Sequence, residues 1–193
     1  MTAPWPCAWS PNFSGWRPGD VVLVASDGST AGWLIEQVQR LSLTQATRAA
    51  ARFTHAAVYV GDGMVVDARP GEPISLRSVW QYCEQRDLLL RRLPSRSIPL
   101  QHVLAIAEAA QRHLGEPYSI IEAVLALMHR DSEPDPERLY CSTFVGLVVT
   151  EATDFRLTER REHRPLTPAR LAIHPELETV ATAWCPVAVA PVR

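Results

Sequence analysis

At 193 residues the chain has room for one hydrophobic core and not for two independent domains, so one catalytic or binding site is expected over residues 1–193. Its 19 basic residues stand against 21 acidic ones, a net charge of −2, which argues against a polyanionic partner such as nucleic acid. No apolar run approaches the ~18 residues of a membrane span, and the start MTAPWPCAWS lacks the basic and apolar regions of a leader, so the expectation is a soluble chain made in the cytosol without a signal peptide. The 4 cysteines, Cys7, Cys83, Cys141 and Cys185, show none of the paired spacing of a zinc site, and no metal or cofactor is expected. Cys7 and Cys185 could meet, because chain ends are often close, but a disulfide between them is not expected in the cytosol. Arg91, Arg92 and Arg96, and the arginines of residues 156–164, read as solvated surface.

Residues 1–16 carry Pro and Trp without periodicity and read as irregular, leaving a core of about residues 17–190. The turn signal Arg17-Pro18-Gly19-Asp20 runs into Val21-Val22-Leu23-Val24, which places a first strand from Asp20. A loosely helical period predicts a helix over residues 28–52. Two β-rich runs, 56–60 and 64–68, flank Gly61-Asp62-Gly63 and predict an antiparallel hairpin. Further strands are predicted at 74–76 and 88–93, with a short helix at 79–85 between them. Ser97 and Pro99 open a helix whose apolar face is Leu100, Val103, Leu104, Ala107 and Leu114, and Gly115 ends it. Residues 118–130 read as another helix and 131–138, rich in acids and proline, as a loop. Cys141 then opens an apolar segment with Phe144, Val145, Leu147 and Val148 at helical spacing, and a final β-like run reaches Val189. These elements predict an α+β fold in which a small antiparallel sheet packs against helices.

A thiol attacks as thiolate, and the first turn of a helix offers partial positive charge and free backbone N–H groups. Cys141 stands at such a position, where the same N–H groups can face an oxyanion. If the hairpin turn is centred on Gly61, His55 lies opposite Asp67 on one face of the ladder. A carboxylate bonded to one ring nitrogen fixes the tautomer and leaves the other nitrogen to take a proton from a thiol. A slip of one residue in the turn would send Asp67 to the other face. His102 and His113 fall on the polar side of their helix, and His129, His163 and His174 lie near loops or charged segments, so none of these is assigned a role.

The segment HAAVYVGDGMVVD, from His55 to Asp67, resembles the histidine hairpin of the NlpC-type papain-like superfamily, in particular its circularly permuted branch. That branch includes lecithin:retinol acyltransferase-like proteins and bacterial permuted NlpC-type hydrolases, in which the histidine precedes the cysteine. LYCSTFV, from Leu139 to Val145, resembles its nucleophile motif, and RPGDVV, GEPY and Leu166-Thr167-Pro168 resemble its entry strand, the segment ahead of the nucleophile and the closing corner. The resemblance implies a permuted papain-like fold and a cysteine hydrolase with Cys141 as nucleophile, His55 as base and Asp67 as orienter. It also makes Tyr118, together with Ser142 beside the nucleophile, a candidate to line the site or hold the oxyanion. The implied substrate is an amide of peptidoglycan stem peptides or a related peptide bond. The alternatives are a lipid acyl hydrolase or acyltransferase, and a binding module that keeps the fold without turnover. For a chain without a leader, action on cell wall implies a signal-independent export route, as for an antibacterial effector, and then an immunity protein as partner.

Overall fold

The computed structural model describes residues 7–69, 71–83, 87–94, 99–117, 141–157 and 166–188. The predicted helix at 118–130, the loop at 131–138 and Tyr118 lie outside these residues. Strands β1 (Cys7–Pro11), β2 (Val21–Ala25), β3 (Phe53–Gly61), β4 (Met64–Asp67), β5 (Ser75–Ser78), β6 (Leu88–Arg92), β7 (Glu178–Val180) and β8 (Trp184–Ala188) alternate with helices α1 (Thr30–Ser42), α2 (Leu100–Arg112), α3 (Cys141–Ala152) and α4 (Pro168–Ile173). Six strands form one antiparallel sheet in the order β5-β4-β3-β2-β6-β7, and β1 pairs with β8 in a separate two-stranded ribbon. The fold is therefore α+β, as composition and pattern imply. No helix among the described residues is long and apolar enough to cross a membrane.

Alternation along the central strands separates two apolar layers. Val21, Leu23, Ala56, Val58 and Val66 meet Val103 and Ile106 of α2 and Phe144, Val145 and Val148 of α3. The other face, carrying Val22, Val24, Ala57, Tyr59, Val65 and Leu90, is covered by Trp16, Val79 and Tyr82. At roughly 1.5–3 kcal/mol for each large apolar side chain removed from water, the buried stripe of α3 holds that helix against the sheet.

Several expectations from the sequence are corrected. The segment before residue 17 is not irregular throughout, because backbone pairing with β8 makes Cys7–Pro11 a strand without any need for side-chain periodicity. Its register sets Cys185 opposite Ser10 and Cys7 opposite Ala188, so the two cysteines are not partners, and Cys185 is a free thiol. The helix expected over 28–52 stops at Ser42, whose hydroxyl bonds back to the Gln39 carbonyl at 2.8 Å, and a separate 3-10 turn covers Arg48–Arg52. Buried Gln39 joins these pieces: its amide donates to the carbonyls of Ala51 and Phe53 at 3.1 and 3.0 Å and accepts from Ala169 N–H at 2.9 Å. That fixes the start of β3.

Arg91 and Arg92 are not solvated surface. Arg91 is buried and donates to Thr179 and to the carbonyls of His174 and Leu177, which pins β7 to β6. Arg92 makes a two-pronged bond to Asp20, at 2.6 and 2.7 Å, and Asp20 also accepts from Arg17 N–H at 2.8 Å. The Arg17-Pro18-Gly19-Asp20 turn is thus locked onto β6. Within it Gly19 has φ 93°, and a Cβ there would lie 2.2 Å from the Val103 carbonyl oxygen. Gly19→Ala is expected to cost about 3 kcal/mol through this clash and the left-handed backbone, which urea unfolding would report as a lower midpoint at unchanged slope.

α2 and α3 are also joined by charge. His113 bonds Glu116 through Nδ1 at 2.7 Å and Glu151 of α3 through Nε2 at 3.1 Å, its ring packs edge-on against Phe144, and Arg112 faces Glu151 at 3.5 Å. Partial burial works to lower its pKa, but the hydrogen bonds and charges of Glu116 and Glu151 raise it. Stabilisation from a raised histidine is complete below its unfolded value near pH 6.5 and disappears as pH climbs through the native one. Thermal melts of His113→Ala should therefore fall furthest below wild type near pH 6, and retain only the lost Phe144 contact in alkaline buffer.

Candidate active site

The β3–β4 hairpin turns on Asp62 and Gly63, with φ 51° and 70°, the mirror-image turn geometry that matches strand twist. It is centred later than Gly61, and an irregularity follows between Tyr59 and Gly61, so Asp67 pairs with Ala57 rather than with His55. The expected register is thus displaced by two residues. Because side chains alternate with a period of two, an even displacement keeps His55 and Asp67 on one face. They meet diagonally, His55 Nε2 lying 2.6 Å from Asp67 Oδ1.

Cys141 is the first residue of α3 and is 9% exposed. Its thiol lies close enough to the His55 imidazole to help raise that ring's pKa. With Nε2 committed to Asp67, Nδ1 is the nitrogen left for sulfur. The body of helix α3, through Phe144, Val145 and Val148, packs in the layer opposite the His55 face.

Asp67 is fully buried and gathers more donors than the sequence indicates. Arg69 Nε donates to Oδ2 at 2.6 Å, the Tyr82 hydroxyl donates to the same oxygen, and Arg77 Nε stands 3.5 Å away. Arg77 is also paired with Glu72, while the Arg69 guanidinium lies over the Tyr82 ring at 5.0 Å and reaches Gln81 at 3.3 Å. Burial works to raise the Asp67 pKa, but the charge on His55, the hydrogen bonds from His55 and Tyr82, and the charge on Arg69 hold it well below the ordinary carboxylate range. Burial likewise works to lower His55, yet the charge and hydrogen bond of Asp67, then Cys141, raise it well above the usual imidazole value. Burial and the charge of Asp67 push Tyr82 far up, which keeps its hydroxyl a donor.

The other thiols differ in setting. Cys83 donates to the Val79 carbonyl at 3.4 Å, and burial pushes it up to about 11. Cys185 is exposed on β8. Of the five residues singled out by sequence, the structure brings together Cys141, His55 and Asp67. Ser142 is not placed to line a cleft: it is fully buried and its hydroxyl donates to the Leu166 carbonyl at 2.7 Å, leaving only its backbone N–H at the head of α3. Tyr118 lies outside the described residues. Arg69, Arg77 and Tyr82 were missed. Continuing the hairpin register by two residues brings Arg69 opposite His55, a signal the correct turn would have given; Tyr82 carries none. Among the described residues no group of three or more His, Cys, Asp and Glu could hold a metal ion. No family model matches the chain, and no curated protein matches it.

Proposed function

We propose that the chain is a cysteine hydrolase of the circularly permuted papain-like, NlpC-type kind that cleaves an amide bond in peptidoglycan stem peptides or a related peptide. The observation that supports this is the meeting of a helix-head thiol with an imidazole whose second nitrogen is held by a buried, ionised carboxylate.

Chemistry follows from that order of atoms. Asp67 Oδ1 accepts from Nε2–H, so Nδ1 takes the Cys141 proton, and the raised basicity of His55 keeps that proton on the ring at neutral pH. An imidazolium beside sulfur favours the thiolate. The thiolate adds to the substrate carbonyl carbon, and free N–H groups at the head of α3 face the resulting oxyanion. On collapse the C–N bond breaks, Nδ1–H protonates the leaving amine, and a thioester remains. Water, deprotonated by His55, then attacks the thioester, releasing a carboxylic acid and restoring the thiol.

Purified wild type and Cys141→Ala, incubated with purified peptidoglycan and separately with phospholipid vesicles, test this by mass spectrometry of released products. Stem-peptide fragments from wild type alone support the proposal. Fatty-acid release without peptide fragments would move the substrate to lipid, and equal activity of Cys141→Ala would overturn the mechanism.

A further inference from the structure

Resting on the cysteine hydrolase reading, we propose that Arg69 is a positioning residue for the Cys141–His55 pair, sharing the Asp67 carboxylate with His55 and offsetting the negative charge that Asp67 presents to the imidazole. Two carboxylate oxygens divide the work. Oδ1 faces His55 Nε2 at 2.6 Å, whereas Oδ2 takes Arg69 Nε at 2.6 Å and the Tyr82 hydroxyl. Arg69 is itself held, over the Tyr82 ring and against Gln81, so it fixes the carboxylate plane as well as adding charge.

The charges around Asp67 explain why this matters. The groups facing His55 are Asp67 from β4, Cys141 from α3 and Tyr82, whose ring centroid is 5.8 Å away. Behind Asp67 stand Arg69 and Arg77, and Arg77 is countered by Glu72. Arg69 is thus the cation that Glu72 does not balance. An undiluted carboxylate at Nε2 would grip the imidazolium too tightly for its Nδ1–H to pass readily to the leaving amine. Arg69 weakens that grip while aiming Oδ1 at Nε2.

Titration of His55 by NMR of the histidine Cε1 position reads this directly, in a Cys141→Ser background so that the ring titrates without the thiol. The His55 signal is assigned by its loss in His55→Gln. Arg69→Gln is expected to raise the His55 titration by about one pH unit, and Arg69→Lys, which keeps the charge, to return most of it. Glu72→Gln is expected to act in the opposite direction, by about half a unit, because it leaves Arg77 uncompensated. Glu72 is half exposed, so that variant is safe for folding and carries the sign even if Arg69→Gln fails to fold. An unmoved or lowered titration in Arg69→Gln, or a raised one in Glu72→Gln, overturns the inference. The underlying reading has a separate test: iodoacetamide labelling of Cys141 near neutral pH, mapped by peptide mass. An inert Cys141 defeats the hydrolase reading whatever Arg69 does, whereas a reactive Cys141 with unmoved titrations defeats the role of Arg69 alone.

Discussion

Cys141→Ala is expected to lower peptide release from peptidoglycan by at least about 10³-fold while the protein stays folded, as judged by circular dichroism and thermal melts. The substitution removes one sulfur at the head of α3 and leaves the buried stripe of Phe144, Val145, Val148 and Val149 in place. A void of that size costs about 1 kcal/mol, too little to unfold a domain. In the proposed mechanism, however, the bond to the substrate carbonyl forms through Sγ alone. His55→Gln should lose a similar factor, and the double variant should be no worse than either single one, because thiol and imidazole act as one unit. Losses that multiply would mean that the two side chains work independently. Cys83→Ala and Cys185→Ala serve as controls and should turn over at the wild-type rate, since neither thiol meets the imidazole.

Asp67→Asn should reduce both stability and turnover. The amide matches the carboxylate in shape but not in charge, and it leaves Arg69 and Arg77 facing a buried group that no longer neutralises them. Removing one partner from such a site costs about 3 kcal/mol, which for a chain of this size is a fall of roughly 6–12 °C in melting temperature. Turnover should fall about 10²–10³-fold, because the imidazolium loses its counter-charge and the tautomer its anchor. The pH dependence has two limbs. A lowered carboxylate stabilises fully above its unfolded value near pH 4, and that contribution is lost as pH falls through the native value. A raised histidine stabilises fully below about pH 6.5 and loses its share as pH rises through its own native value. The gap between wild type and Asp67→Asn should therefore be widest at about pH 5–6.5. It should narrow on the acid side, and narrow in part on the alkaline side, where the arginine contacts persist. A gap independent of pH would show that charge at Asp67 is not what the network needs.

Hydrophobic period made the main elements legible. The alternation through β3 and β4, the apolar stripe of α3 and the 3.6 period of α2 each belong to a segment that buries one side, and burial writes itself into residue order. The hairpin was legible in its pairing sense and its side-chain face, but not in its register. Asp62-Gly63 closes the turn three register steps from the expected pairing, the irregularity near Tyr59 takes one step back, and only the even total preserved the pairing of faces. What stayed illegible depends on partners distant in the chain. Cys7–Pro11 is a strand because β8 is there, and Arg91 is buried because three acceptors near β7 converge on it. Arg69, Arg77 and Tyr82 look like ordinary surface and turn residues until Asp67 collects them.

The ribbon of β1 and β8 has a consequence of another kind. Cys7 sits across from Ala188, so the path through the entire six-stranded sheet starts and finishes at neighbouring points. Stitching those points together and cutting open an exposed bend elsewhere would alter the order of segments without moving the core.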